Sequence, residues 1–471
     1  MELDQVPTIW WSPDNPDDKH DGHISIRTDG SAEIELFGAF GDPLVASPES
    51  APSLLYGVGV DGERFTARRS LLSGSRSGLF SGFTTSRYRP LSLIVGKAHV
   101  DEAVVYNVAR LEATYLRDWL ANSGLRPEMQ TSVGEERGNL GVSYQPPAPQ
   151  SAQLSSGAQV STWTSHHLES TTRGYLQTED VALEVELTEP LPIDELIVAY
   201  VTPLLDLITF ATGQRNWIDR LTVQSPALTR VIDGKTFPVP LQFLTRWTGS
   251  PPEDAARLIP HDMKFAASEA PGGVQATLPR WFDLHQELRM ALAPYLGLSY
   301  APAQYIDLQL VSISLALEAY HRAGHGTTRK SRALMTKDEF RDFKAKVLEA
   351  CPTRLVGAMD QKLAYFNEKP QTDRLAELVE RVHGSLPWIA SSFPDFATDF
   401  IAARNGKTHP DPSKRQFSAG EMFNLTRVAT YVFEANLMLD LGFAAEACRE
   451  LLSRNRSIAQ FITNRQRRQA E

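Results

Sequence analysis

Residues 418–442 read SAGEMFNLTRVATYVFEANLMLDLG, and this stretch sets the class of the C-terminal half. Ser418 and Glu421 stand at capping-box spacing, where each side chain satisfies a free backbone N–H of the other residue. Met422, Leu425, Val428, Val432 and Leu439 then recur at helical intervals as a buried stripe, and Gly442 supplies the stop. Upstream, LQLVSISLALEAYHRAG (308–324) is apolar on most faces and should be a central buried helix. TKDEFRDFKAKVLEAC (336–351) opens with a second capping box at Thr336 and Glu339. TDRLAELVERVHG (372–384) ends on Gly384, and SSFPDFATDFIAARN (391–405) is a short helix. A bundle of five to seven helices is expected between about Leu278 and Arg468.

The N-terminal half has a different period. From Trp10 to about Arg246, short alternating runs dominate. HISIRTDGSAEIELFG (23–38) is a hairpin about Thr28-Asp29-Gly30, with Ile24, Ile26, Ile34 and Leu36 on the inner face. LLYGVGVDGERFTARR, PLSLIVG, AQVSTWTSHHL and VALEVELTE also read as strands, whereas EAVVYNVARLEATYLRDWL and 193–212 have lengths that permit helices. A Gly-, Ser-, Pro- and Gln-rich stretch at 124–159 reads as a long loop, and the Pro- and Gly-containing stretch 249–273 separates the two patterns. The expected fold class is α+β, with a β-rich domain over residues 1–272 followed by an all-α helical domain over 273–471.

With 471 residues, 42% hydrophobic and 22% charged, the chain is ordinary globular material of more than one domain. Its formal net charge of -10 argues against a surface wholly given to nucleic acid. Residues 401–471, however, hold 11 Lys and Arg against 7 Asp and Glu, which allows a local basic surface at that end. Cys351 and Cys448 form neither a disulfide framework nor a zinc motif. No secretory signal is visible in MELDQVPTIW. The membrane-like run 196–213 is interrupted by Pro203 and Asp206, so a buried helix and a cytoplasmic protein with no membrane association are expected.

One pattern carries chemistry. RNGKTH (404–409) sets an arginine and a histidine five positions apart. With 11 His and 35 Arg in 471 residues, chance supplies roughly 0.8 such spacings, and the chain has a second in RWFDLH, Arg280 to His285. The second pair lies inside a predicted helix, on different faces. The first follows the helix of Phe393, Phe396 and Phe400, with Gly406 expected to break that helix and Pro410 and Pro412 to prevent another. His409 would then be presented from an irregular segment toward the same pocket as Arg404. Such a pair suits RNA cleavage without a metal: histidine moves protons near neutral pH, and arginine offers fixed charge to a phosphorane. Asn405 would hold either the histidine or the phosphate. The residues equally allow Arg404 to cap its helix and pair with Glu318, leaving His409 an exposed loop residue.

Other constellations are weaker. Glu318 with His321 and Glu380 with His383 have E-x-x-H spacing but lack the further carboxylates of a di-iron site. His166 and His167 face opposite ways on a strand. Arg454, Arg456, Arg465, Arg467 and Arg468 in the tail either steer RNA or decorate a solvated helix. No cofactor or metal site is expected.

The run FATDFIAARNGKTHPDPSK…GEMFNLTRVATYVFEANLMLDLGF resembles the end of a HEPN domain, in which an Arg-Asn-x-x-x-His motif follows one helix and precedes a long terminal helix. A β-rich half joined to such a domain is similar to ApeA-type proteins of bacterial anti-phage defence, and LSLIVGKAHVDEAVVYNVARLEATYLRDWL fits their N-terminal domain. The resemblance covers most of the chain in architecture and about 45 residues closely. It implies a metal-independent endoribonuclease that halts an infected cell by cutting RNA, active as a homodimer whose two motifs form one composite site. The β-rich half is then expected to sense a phage-derived trigger or to restrain the nuclease. Carried across, Arg404 and His409 are the catalytic pair, with Asn405 at the frequent polar position. Gly406 and Lys407 depart from the bulkier residues expected after the asparagine. The rival reading is a catalytically silent HEPN module that binds RNA or protein.

Overall fold

The computed structural model describes residues 2–40, 52–77, 83–129, 140–172, 174–246, 257–301, 304–324, 333–409 and 411–470, without the side chains of 127–129, 140 and 466–470. The chain divides into two compact units, Met1–Ile259 with Phe265–Pro279, and Pro260–Lys264 with Arg280–Glu471. The division falls within the helix Gly273–Glu287.

The first unit is built on strands that pair antiparallel throughout. Six of them, β1 (Leu3–Ser12), β2 (Asn15–Ile26), β3 (Ala32–Leu36), β4 (Leu54–Gly59), β5 (Arg64–Ser77) and β6 (Thr84–Gly96), follow one another around a closed circuit β6-β3-β2-β1-β4-β5, which the β5–β6 pairing completes. The circuit closes around alternate inward side chains. Trp10, Ile24, Ile34, Leu36, Leu55, Phe65 and Ala67 are all fully buried there, so the expected inner face of the first hairpin, with Ile26, is the barrel core. Gly57 gives the Trp10 ring its room: a Cβ there would lie 2.8 Å from the indole. The indole N–H is satisfied within its own strand by Thr8 Oγ1 at 2.6 Å.

Strand β6 is shared. Its first half pairs with β3, and its second half pairs with β16 (Leu241–Thr245). From there the sheet continues through β13 (Ile218–Gln224), β7 (Val105–Ala113), β12 (Gly174–Pro192) and β11 (Gln159–Thr171) to the short edge strand β10 (Ser151–Gln153). The segment with two permitted readings is thus mainly strand, followed by one helical turn at Leu116–Leu120. The stretch read as a long loop is not one. Strand β8 (Leu125–Met129) pairs in register with β9 (Leu140–Tyr144), and residues 130–139 lie outside the described residues. A last small hairpin joins β14 (Thr229–Ile232) to β15 (Lys235–Pro238). In the separating stretch 249–273, residues 249–256 also lie outside the description.

Residues Ile193–Thr212 form a continuous helix with a π-helical turn at Ile197–Val201. Among the described residues it is the one helix long and apolar enough to cross a membrane. Leu204, Leu207, Ile208, Phe210 and Ala211 are nevertheless fully buried in the β unit, which is where an apolar core helix belongs.

Among the described residues, eleven α-helices lie between Gly273 and Ala470, more than the five to seven expected. Short interruptions, such as those at Leu288 and Asn455, divide what reads in sequence as longer runs. Four helices frame the site: α1 (Ile306–Ala323), α2 (Gln371–Arg381), α3 (Phe396–Thr408) and α4 (Ala419–Asp440). Both expected capping boxes form, with Ser418 and Thr336 as N-caps.

Helix α4 is the centre of the bundle. Every residue from Tyr431 to Met438 is buried, so its middle is enclosed on all sides; of the stripe read in sequence, Leu439 alone is only half-buried. Its polar members survive burial because each has partners. Glu434 accepts from Tyr295 and pairs with Lys264, Asn436 donates to Leu378 O, and Asp440 pairs with Arg381. Helix α1, expected to be buried on most faces, buries one face only; Leu308 and Leu315 are exposed.

Candidate active site

Helix α3 carries the arginine. Phe396, Phe400 and Ala403 are its buried residues, and Arg404, one turn after Phe400, is half-buried at the edge of that face. Its Nη1 donates to Asn405 Oδ1 at 3.0 Å, and its Nε is buried with no hydrogen-bond partner among the described residues. A desolvated guanidinium donor without an acceptor is costly, and the group that would complete this fork is an oxyanion. The Asn405 side chain therefore holds the arginine and not the histidine side chain.

Gly406 does not break the helix. Helix α3 continues through it to Thr408, with Thr408 Oγ1 donating to Arg404 O at 3.3 Å and Lys407 pairing with Asp307 at 3.2 Å in the first turn of α1. One interior glycine costs a helix only about 1 kcal/mol relative to alanine, which such contacts offset. The helix ends at His409, whose N–H donates to Asn405 O at 2.8 Å and whose side chain is exposed. Pro410, expected with Pro412 to prevent another helix from starting, lies outside the described residues; Pro412 falls in the connection that follows.

The extra turn changes the geometry expected of the pair. Within one chain Arg404 sits at the edge of the packed face, His409 stands exposed at the helix end, and no hydrogen bond joins them. Arg404 does not pair with Glu318 either. That carboxylate accepts from Gln371 and pairs with Arg322 and Arg374, at 3.1, 3.1 and 3.6 Å.

The connection beyond His409 is ordered by its own polar groups. Asp411 accepts from the backbone N–H and hydroxyl of Ser413 at 3.0 and 2.6 Å, and these bonds hold its carboxyl below the usual range. Glu421 is held low in the same way by the backbone N–H of Ser418, then by the Ser418 hydroxyl and Arg415. Arg415 had no mark in the sequence, yet its Nη1 reaches Asp399 Oδ1 on α3 at 2.7 Å and its Nη2 reaches Glu421 Oε1 on α4 at 3.0 Å.

The remaining candidates separate from the site. Arg280 and His285 lie on one helix, where His285 packs its ring near Trp281. His321 bonds Glu377 at 2.9 Å, and burial pushes its pKa down. His383 lies beyond the end of α2, and among the described residues no group of three His, Cys, Asp or Glu is placed to hold a metal ion. His166 stacks on Tyr144, whereas His167 bonds Asp180. In the tail, Arg456 pairs with Asp262 and Arg465 lies over Phe393, while the side chains of Arg467 and Arg468 are outside the description. Burial raises the Cys448 thiol to about 11; Cys351 is half-buried, and both are free.

Two family models match the chain. ApeA N-terminal domain 1 covers residues 8–281, more than half the length, and Apea-like HEPN covers residues 311–447. The chain belongs to the ApeA family. The HEPN match runs from within α1 through α4 and so holds the whole of RNGKTH, and the N-terminal match begins within β1 and runs on through the rest of the barrel. HEPN domains are generally ribonucleases that dimerise and bind RNA, and this family points to a nuclease role in anti-phage defence. We find no matching relative among curated proteins and no matching solved structure.

Proposed function

We propose that this ApeA-family chain is a cytoplasmic, metal-independent endoribonuclease of anti-phage defence, in which residues 273–471 cut RNA and residues 1–272 sense a phage-derived trigger or restrain the cut. The observation that carries this reading is the half-buried Arg404 guanidinium. Asn405 holds one arm while the buried Nε has no acceptor among the described residues, five residues before an exposed histidine. A phosphodiester fits that unfilled donor.

In the proposed reaction the ribose 2′-oxygen attacks the adjacent phosphorus and the bond to the 5′-oxygen breaks, leaving a cyclic phosphate and a 5′-hydroxyl. His409 takes the 2′-hydroxyl proton or returns one to the leaving oxygen, and Arg404 stabilises charge on the phosphorane. This chemistry asks only for a proton carrier and a fixed cation. Because Arg404 lies at the packed edge of α3 and His409 is exposed at its end, with no hydrogen bond between them among the described residues, the working site in this reading combines motifs from two protomers.

The test uses purified full-length protein and RNA in EDTA, beside Arg404→Ala and His409→Ala. Wild-type cleavage is expected to fall by about 10²–10⁴-fold in either variant. Undiminished cleavage by both, or none by wild-type protein taken from phage-challenged cells, removes the nuclease reading. The alternative is a silent HEPN scaffold; RNA retention without cleavage, lost in Arg404→Ala, would select it.

A further inference from the structure

We infer that Arg415 is a positioning residue for His409, an inference that rests on the nuclease reading above. His409 is the last residue tied to α3, and the chain must then reach the cap of α4 at Ser418. Most polar contacts in between are internal to the connection. Asp411 binds Ser413, Lys414 N–H donates to Asp411 O at 3.2 Å, and Gln416 Nε2 donates to the carbonyls of Asp411 and Lys414 at 3.1 Å each. Those bonds give the segment a shape without attaching it to the bundle.

Arg415 supplies the attachment. One arm reaches Asp399, five residues before Arg404 on α3, and the other reaches Glu421 in the first turn of α4. The guanidinium also lies 4.4 Å from the centroid of the Phe417 ring. Glu421 divides its oxygens: Oε2 closes the capping box with Ser418, while Oε1 receives Arg415. A single planar fork thus ties the connection to the arginine-bearing helix and to the terminal helix at once, a geometry that lysine's point charge lacks.

Arg415 is 57% exposed, and pairs at such exposure contribute little to stability. Its effect is therefore on where His409 stands, not on whether the bundle folds. The competing role for an exposed arginine near an RNA-cutting site is direct contact with phosphate, and Asp399 separates the two. If Arg415 binds RNA, Asp399→Asn loosens one arm of the guanidinium, removes a repelling charge and lowers KM. If Arg415 positions His409, Asp399→Asn lowers kcat just as Arg415→Gln does.

The experiment compares kcat and KM of the full-length chain with Arg415→Gln, Asp399→Asn, the double variant and Arg415→Lys, together with hydrogen exchange across 409–417. Both single variants are expected to lose about tenfold in kcat with KM nearly unchanged, since small misplacement of a reacting group is costly. The double variant should lose no more than either single one, and Arg415→Lys should recover only part. Exchange across 409–417 should rise in both single variants. A lower KM in Asp399→Asn, or wild-type kcat in Arg415→Gln, overturns the inference. If the wild-type chain cuts no RNA, the nuclease reading fails by itself. Exchange then still decides: unchanged protection of 409–417 in Arg415→Gln overturns the anchoring role.

Discussion

Replacing Arg381 with methionine should destabilise the helical unit far more than an exposed arginine would. Its Nη2 lies 2.6 Å from Asp440 Oδ1, and its Nη1 is shared between Tyr320 Oη at 2.9 Å and Asn436 Oδ1 at 3.1 Å. Tyr320 Oη donates in turn to Asp440 Oδ2. The two charged side chains are 24% and 10% exposed, so the methionine variant leaves Asp440 charged where water reaches it poorly. Breaking a buried pair costs about 3–5 kcal/mol, and the partial exposure of Arg381 argues for the lower end, about 3 kcal/mol. Arg381→Met with Asp440→Asn removes both charges while an acceptor for Tyr320 remains, so the double variant should cost only about 1–2 kcal/mol, mainly for groups left without partners. Urea unfolding followed at 222 nm, where helix dominates, measures all of these within one cycle. A single variant that loses less than about 1 kcal/mol, or no less stability lost by the double variant, would refute a desolvated ion pair at the centre of the bundle.

Gly57→Ala sets a Cβ 2.8 Å from the fully buried Trp10 ring; a loss of about 1–3 kcal/mol is expected in the β unit, read by tryptophan fluorescence during denaturation. Ser418→Ala removes the acceptor for the Glu421 N–H and should cost about 1 kcal/mol in the helical transition. Acid should weaken the helical unit. Burial holds His321 below 6.5, and hydrogen bonds from His321 and Lys369 hold Glu377 below 4.5 although burial opposes this. The stability from His321 is complete above pH 6.5, that from Glu377 above pH 4.5, and each is lost as pH falls through its lowered folded value. His321→Gln should flatten the decline in Tm from pH 7 downward, and an unchanged slope would show that other groups govern it.

The local periods were legible in the sequence, and closure was not. Alternation fixed the inner face of the first hairpin because each side chain there answers to a partner a few residues away. The barrel depends on β1 meeting β4 and on β6 serving two neighbours, pairings that local alternation does not specify. The region around β7 was ambiguous because its apolar residues satisfy either period, and pairing with β12 and β13 on both sides selects the strand. In the helical half, capping boxes were plain, whereas nothing in the sequence singles out Arg381 or Asp440. Only packing brings them together with Tyr320.

The site was half legible. Arg404 follows from the Phe396–Phe400 stripe, but Gly406 suggested a break that the ties of Lys407 and Thr408 to their neighbours overrule. Because the helix runs on, the proposed cleavage requires the arginine of one protomer and the histidine of another to meet on a single phosphate. In a two-fold dimer each pair would then form twice, once in each direction. Arg404→Ala and His409→Ala should each be inactive, yet a mixture exchanged to equilibrium should regain activity. Half of the dimers would be mixed, and one of the two sites in each would hold both wild-type residues. About a quarter of wild-type activity is therefore expected from equal amounts. No recovery, in a mixture shown by mass to contain mixed dimers, would mean that each arginine serves the histidine of its own chain, and the exposed His409 side chain would have to turn back toward Arg404 before any RNA is cut.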